Sequence, residues 1–154
     1  MDALPAPGRF EGIEHRFVLR VYFEDTDLTG MVYHANYLRF IERARSDMLA
    51  LAGVDQRAAH EGGIGAWALR EAKLRYRVPA RLGDELVVVS RLVRLRPAAV
   101  DIHQRVMRGT TIVAEAEVEA VFVAPSGRPR RQPAEWIAAF EPLVWKGKQD
   151  TWNS

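Results

Sequence analysis

No cysteine occurs anywhere in the 154-residue chain. Disulfides, thiolate metal sites and cysteine nucleophiles are thereby excluded together, and such a sequence suits a reducing compartment. There is no HExxH and no second histidine at ligand spacing, since His15, His34, His60 and His103 are scattered; a metal centre is not expected. GxSxG, GxGxxG and GxxxxGK are also missing, which leaves no signal for a serine-hydrolase elbow or for a Rossmann or P-loop nucleotide site. No apolar run approaches the ~20 residues that span a bilayer. The opening MDALPAPGRFEG lacks the apolar core of a signal peptide. Charge of one sign is scarce too: 22 Lys and Arg face 20 Asp and Glu, for a net +2. That is a weak bias toward anionic partners and too little for a nucleic-acid face. The expectation is a cytoplasmic protein with no metal, no cofactor, no nucleic-acid partner and no membrane span.

What the chain does have is pattern. With 48% hydrophobic and 27% charged residues it reads as one domain spanning 1–154, long enough to bury a core without staples. Residues 1–12 read as a loosely ordered lead-in and 142–154 as a loosely ordered tail. Over 15–24, Phe17, Leu19, Val21 and Phe23 alternate with Arg20, Tyr22 and Glu24, predicting a half-buried strand. Residues 25–30 supply turn chemistry. From about Ala35 the period becomes helical, with a stripe of Tyr37, Phe40, Ile41, Ala44, Met48 and Leu51 and with Gly53 placed to end the helix. A loop over 54–63 is expected, followed by strands over about 64–78, 84–96, 99–108 and 111–123. Their short connections imply antiparallel neighbours. In the last strand Ile112, Ala114, Ala116, Val118, Ala120 and Phe122 oppose Glu115, Glu117 and Glu119. A basic loop, SGRPRRQ, then leads to a short helix over 133–140. One long helix against one antiparallel sheet is an α+β architecture.

The chemistry concentrates at residues 20–45, RVYFEDTDLTGMVYHANYLRFIERAR. Two aspartates sit in a turn that feeds a helix. A tight turn alone would account for them. Position adds a functional reading: Asp27 lies a short loop before the helix start, where N–H groups near Tyr33 and His34 have no intrahelical partner. Those amides can donate to a developing oxyanion while the carboxylate attacks or activates water, as acyl transfer requires. Calcium is a rival, since Asp25, Asp27, Thr29 and Gly30 match the first positions of an EF-hand loop. It fails at the twelfth position, where Asn36 stands instead of a bidentate Glu. Lys73, Arg75 and Arg77, and Arg128, Arg130 and Arg131, are solvated charges or contacts for a phosphate-bearing ligand.

VYFEDTDLTGMVYHANYLRFIERAR, with its core DLTGMVYHANY at 27–37, resembles the signature of the hotdog-fold acyl-CoA thioesterases. The likeness is to the Tol–Pal-associated branch, related to 4-hydroxybenzoyl-CoA thioesterase, and extends through REAKLRYRVPARLGDELVV and SGRPRRQP. The resemblance implies a long central helix wrapped by a five-stranded antiparallel sheet in the order 1-3-4-5-2, with a short C-terminal helix. It implies hydrolysis of an acyl-CoA, with Asp27 as nucleophile or general base and the His34 N–H polarising the thioester carbonyl. Tyr33 and the His34 side chain would line the site, Met31 and Val32 would contact substrate, and Asn36 would brace the loop. It further implies a homodimer or homotetramer with acyl pockets at the dimer interface. The strand order would set Glu115, Glu117 and Glu119 against Lys73, Arg75 and Arg77, leaving Arg128 and Arg130 as the CoA phosphate contacts. Leu28, Thr29 and Met31 depart from the family's smaller residues, and Glu42 is a rival carboxylate on the helix. The alternatives are a non-catalytic acyl-CoA or acyl-carrier-protein binding module, or a hydratase, which would want a histidine and an acid on different elements.

Overall fold

β-Branched residues at period two build the sheet, and residues at three- and four-residue spacing build the helix that lies on it. The computed structural model describes residues 8–147. Its strands are β1 (Arg9–Glu11), β2 (Glu14–Arg20), β3 (Ala66–Tyr76), β4 (Glu85–Arg96), β5 (Ala99–Arg108) and β6 (Thr111–Val123). Its helices are α1 (Asn36–Leu51), α2 (Gln56–Glu61) and α3 (Ala134–Phe140), with single 3-10 turns at Phe23–Asp25 and Glu141–Leu143. The six strands form one antiparallel sheet in the order β1-β2-β4-β5-β6-β3. This is the expected hotdog order, with β1 added beyond β2.

On the inner face, Leu86 and Val88 of β4, Val106 of β5 and Ala114, Ala116 and Val118 of β6 meet Tyr37, Phe40, Ile41 and Ala44 of α1. The alanines of β6 leave room for a helix lying close to the sheet. One polar side chain interrupts this layer. Gln104 is fully buried, and its Nε2 donates to the Ile41 carbonyl of α1 at 2.9 Å and to Ser90 Oγ at 3.0 Å. Its Oε1 accepts from Arg45 Nη1 at 3.0 Å. A satisfied buried amide of this kind fixes the helix along the sheet in a way that apolar contacts do not.

Five expectations are corrected. The sheet has six strands rather than five, because residues 9–11 of the expected lead-in turn back through Gly12 (φ 61°) and pair with β2. Gly8 adjoins this hairpin: its N–H donates to Asp47 Oδ2 at 2.8 Å, and a Cβ there would collide with the Arg16 carbonyl oxygen. The first long strand stops at Arg20, because Asp25 Oδ2 captures the Tyr22 N–H at 2.9 Å and coils the chain, leaving Phe23 82% exposed. The expected loop over 54–63 contains α2, capped by Asp55 Oδ1 accepting from the Ala58 N–H at 2.9 Å. The α1 stripe ends on Leu49, which is buried, while Leu51 is exposed. Of the expected tail, residues 142–147 are docked: the Trp145 N–H donates to the Leu92 carbonyl at 2.7 Å, and Arg91 lies over the Trp145 ring. Residues 1–7 and 148–154 lie outside the described residues.

Candidate active site

Asp27 sits in an exposed loop between the 3-10 turn and α1. The loop is closed locally. The Asp27 N–H donates to the Met31 carbonyl at 2.9 Å, the Gly30 N–H donates to the Asp27 carbonyl at 3.1 Å, and Gly30 takes φ 78°. It is also zipped to the β3–β4 connection: the Val32 N–H donates to the Ala80 carbonyl at 2.8 Å, and Met31 bridges Arg81. That connection is held in turn by Arg108, whose Nη1 reaches the Pro79 carbonyl at 3.0 Å and Asp84 Oδ2 at 2.9 Å. Tyr37 takes part as well, its hydroxyl oxygen accepting from the Ala80 N–H at 3.2 Å.

Within this frame the Asp27 carboxylate accepts through Oδ1 from the Thr29 hydroxyl and from the Thr29 N–H. The hydroxyl bond, then the amide, hold its pKa below the usual carboxylate value, with the His34 charge adding in the same direction. The group is therefore ionised at neutral pH, as a nucleophile or base must be. Asp25 differs: it is buried, caps the preceding turn, and offers its carbonyl to the Tyr33 N–H and to Asn36 Nδ2, both at 2.9 Å. With the Tyr33 amide occupied, the N–H groups of His34 and Ala35 are those that donate to no backbone carbonyl among the described residues. They stand at the N-terminus of α1, the positive end of its dipole. The Tyr33 and His34 rings lie 4.4 Å apart and exposed, and Tyr76 at the end of β3 donates its hydroxyl to the His34 carbonyl at 2.9 Å.

The arrangement is a carboxylate and an amide donor on an exposed loop and helix start. No cluster of three potential metal ligands occurs among the described residues. No helix among them is long and apolar enough to cross a membrane.

Residues 21–140 match the model of the thioesterase-like superfamily. The chain belongs to that superfamily. This thioesterase is 38% identical over 128 residues to the acyl-CoA thioester hydrolase YbgC of Escherichia coli O6:H1, a match covering 82% of this chain and 95% of the relative. It is 37% identical over 128 residues to the acyl-CoA thioesterase YbgC of Haemophilus influenzae, covering 82% and 94%. Among solved structures, a probable thioesterase from Bartonella henselae superposes with a TM-score of 0.73 at 34% identity, covering 78% of this chain and 99% of that one.

The thioesterase brings Asp27, Met31, Val32, Tyr33, His34 and Asn36 together on one loop and helix start, though Val32 is buried beneath it rather than presented on it. Arg128 and Arg130 are not there. They follow β6, whereas the Asp27 loop lies near the other end, where the Arg77 N–H donates to the Val113 carbonyl. At ~3.3 Å per residue the length of β6 separates the two regions by roughly 40 Å within one chain. Arg130 is also engaged, donating to the Ile64 carbonyl at 2.7 Å. Glu42 lies along α1, away from the loop. The acidic strand is paired only in part as the strand order implied: Lys73 faces Glu117, Arg75 faces Glu115 and Arg77 forms an ion pair with Glu115, but Lys73 makes its ion pair with Glu71 on its own strand, and Glu119 faces Glu71 and is met by Arg70 and Arg96. Tyr76 was missed by sequence reasoning. Its signal was a tyrosine ending an alternating strand, which gains meaning only once that strand reaches the helix start.

Proposed function

We propose that this thioesterase hydrolyses acyl-CoA thioesters, with Asp27 as the catalytic carboxylate and the His34 N–H as the oxyanion donor. The observation that carries the reading is the ionised, exposed Asp27 beside an unengaged amide at a helix N-terminus. As nucleophile, Asp27 attacks the thioester carbonyl and expels CoA thiolate, and water then hydrolyses the mixed anhydride to acid and Asp27. As general base, it takes a proton from water, whose oxygen bonds directly to that carbonyl; the tetrahedral intermediate then collapses to the acid, breaking the C–S bond and expelling CoA thiolate, which the proton held by Asp27 neutralises. In both routes the His34 N–H stabilises the tetrahedral oxyanion. Such donors are typically worth a factor of about 10²–10³ in rate. Tyr33, Met31 and the His34 ring line the approach, and Asn36 braces the loop through Asp25.

The pocket itself is proposed to need a second copy. β3 is a long strand with an unpaired edge, and Leu69 (54%) and Tyr76 (49%) on its inner side are exposed. Pairing this edge with its two-fold mate covers them and satisfies the ladder, the usual resolution of such an edge. It also runs the start of one β3 past the end of the other, bringing Arg128 and Arg130 of the partner subunit toward Asp27. There they would meet the CoA phosphates. The Tol–Pal-associated branch and a cytoplasmic setting belong to the same proposal and rest on the resemblance of residues 20–45 alone.

The test is CoA release from an acyl-CoA panel, measured with sedimentation of the same sample. The expected result is turnover by a dimer or tetramer, with both lost when Leu69→Glu charges the edge. A fully active monomer would overturn the shared pocket, and saturable binding without CoA release would make the protein a binding module.

A further inference from the structure

Away from Asp27, a cleft opens between α1 and β3, lined among others by Glu42, Arg45, Ser46, Leu49, Trp67 and Leu69. It holds donors without matching acceptors. Arg45 is half-buried, and its hydrogen bond among the described residues goes to the neutral Gln104 Oε1. No carboxylate among the described residues is in ion-pair contact with it; Glu42 acts on it only at a distance. Elsewhere comparable arginines have such partners, Arg91 with Glu14 and Arg96 with Asp101, both at 2.7 Å. Trp67 adds an indole N–H that is shut from solvent and has no acceptor. A guanidinium withdrawn from water beside a neutral amide is left wanting a counter-charge, and a carboxylate is the group whose two oxygens match its fork.

The cleft also stands in a telling place. Leu69 lies in the first half of β3 and Tyr76, which reaches His34, at its end. In one chain about 23 Å of strand separates them at ~3.3 Å per residue. Two-fold pairing of β3 about its middle would set the first half of one copy beside the last residues of the other, and the cleft of one subunit would then open next to Asp27 of its mate.

We propose that the α1–β3 cleft of the partner subunit is the far end of the acyl site, and that Arg45 there selects acyl groups ending in a carboxylate. The proposal rests on the thioesterase reading and on β3 pairing, and deepens them by naming the substrate class: CoA monothioesters of dicarboxylic acids. The hydrolysis is unchanged, and the distal carboxylate takes no part in bond making.

The experiment compares kcat/KM for succinyl-, glutaryl- and adipyl-CoA with that for uncharged isosteres in which an isopropyl group replaces the carboxylate. Wild-type enzyme is expected to favour at least one charged member by about tenfold or more, the scale of a lost charged contact. In Arg45→Met that ratio should fall toward one, and Arg45→Lys should restore part of it. Co-expressing Asp27→Asn and Arg45→Met subunits should recover glutaryl-CoA hydrolysis to about a quarter of wild type, because statistical pairing gives half mixed dimers with one intact site each. A wild-type ratio near one, which needs no variant to fold, overturns this proposal alone. An Arg45→Met loss equal for charged and uncharged esters, or no recovery in mixed dimers, overturns it too. Absence of hydrolysis with every ester overturns the underlying thioesterase reading instead.

Discussion

Replacing Gln104 with leucine is the sharpest test of how α1 is held over the sheet. The two side chains are close in size, so no large cavity opens and the effect reads out polar contacts. Three hydrogen bonds disappear: to the Ile41 carbonyl, to Ser90 Oγ and from Arg45. Net contributions of about 0.5–1.5 kcal/mol per bond give a loss of roughly 2–4 kcal/mol. In a chain of this size each kcal/mol moves the melting temperature by about 2–4 °C, so a drop of roughly 5–15 °C is expected in calorimetry. Ser90→Ala removes one of the three and should cost about 1 kcal/mol alone but little in the Gln104→Leu background, because the shared partner is gone. Since Ile41 lies about one and a half turns from the helix start, kcat should fall more than KM rises. A Gln104→Leu melt within about 2 °C of wild type would refute the idea that this amide fixes the helix.

Three further outcomes are expected. Thr29→Val deletes the hydroxyl that does most to lower the Asp27 pKa; the carboxyl should protonate at higher pH, moving the acid limb of kcat/KM upward, and an unmoved limb would dissociate that carboxylate from the chemistry. His15 is fully buried against Asp47 at 2.7 Å, and burial holds its pKa below the usual histidine value despite that partner. The unfolded chain therefore binds more protons below about pH 6.5, so stability is complete above that pH and declines on acidification toward the folded value. His103 contributes in the same direction, so the readout is the steeper fall of melting temperature from pH 7.5 to 5.5 in wild type than in His15→Leu. Neutralising Arg128 and Arg130 should raise KM for CoA esters more than it lowers kcat, while a short pantetheine thioester is unaffected; equal losses would show that they do not meet phosphate.

Much of the fold is legible because its signals are long. The α1 stripe and the alternation of β6 each repeat over three or more turns or pairs, and both hold in the structure but for Leu51 and for Ile112, whose place in the core Val113 takes at a register shift. The misses are short-range. β1 has three residues and no periodicity to detect, and it exists because Gly12 lets the chain fold back on β2. Helix α2 spans under two turns, although the Asp55 cap before it was a usable signal. Phe23 kept the alternation but lost its strand, since one side chain, Asp25, took an amide that the ladder would have used. The local half of the candidate site was legible because it is contiguous in sequence. Tyr76 and Arg45 were not, because their roles depend on which strand forms the sheet edge and on what a second copy of the chain brings to it.

The account turns on one carboxylate. The direct measurement is CoA release from acyl-CoA esters by Asp27→Asn beside wild type, with melting temperatures recorded on both. A loss of about 10²-fold or more in kcat with an unchanged melt is the expected result. Wild-type rates from the folded variant would contradict it.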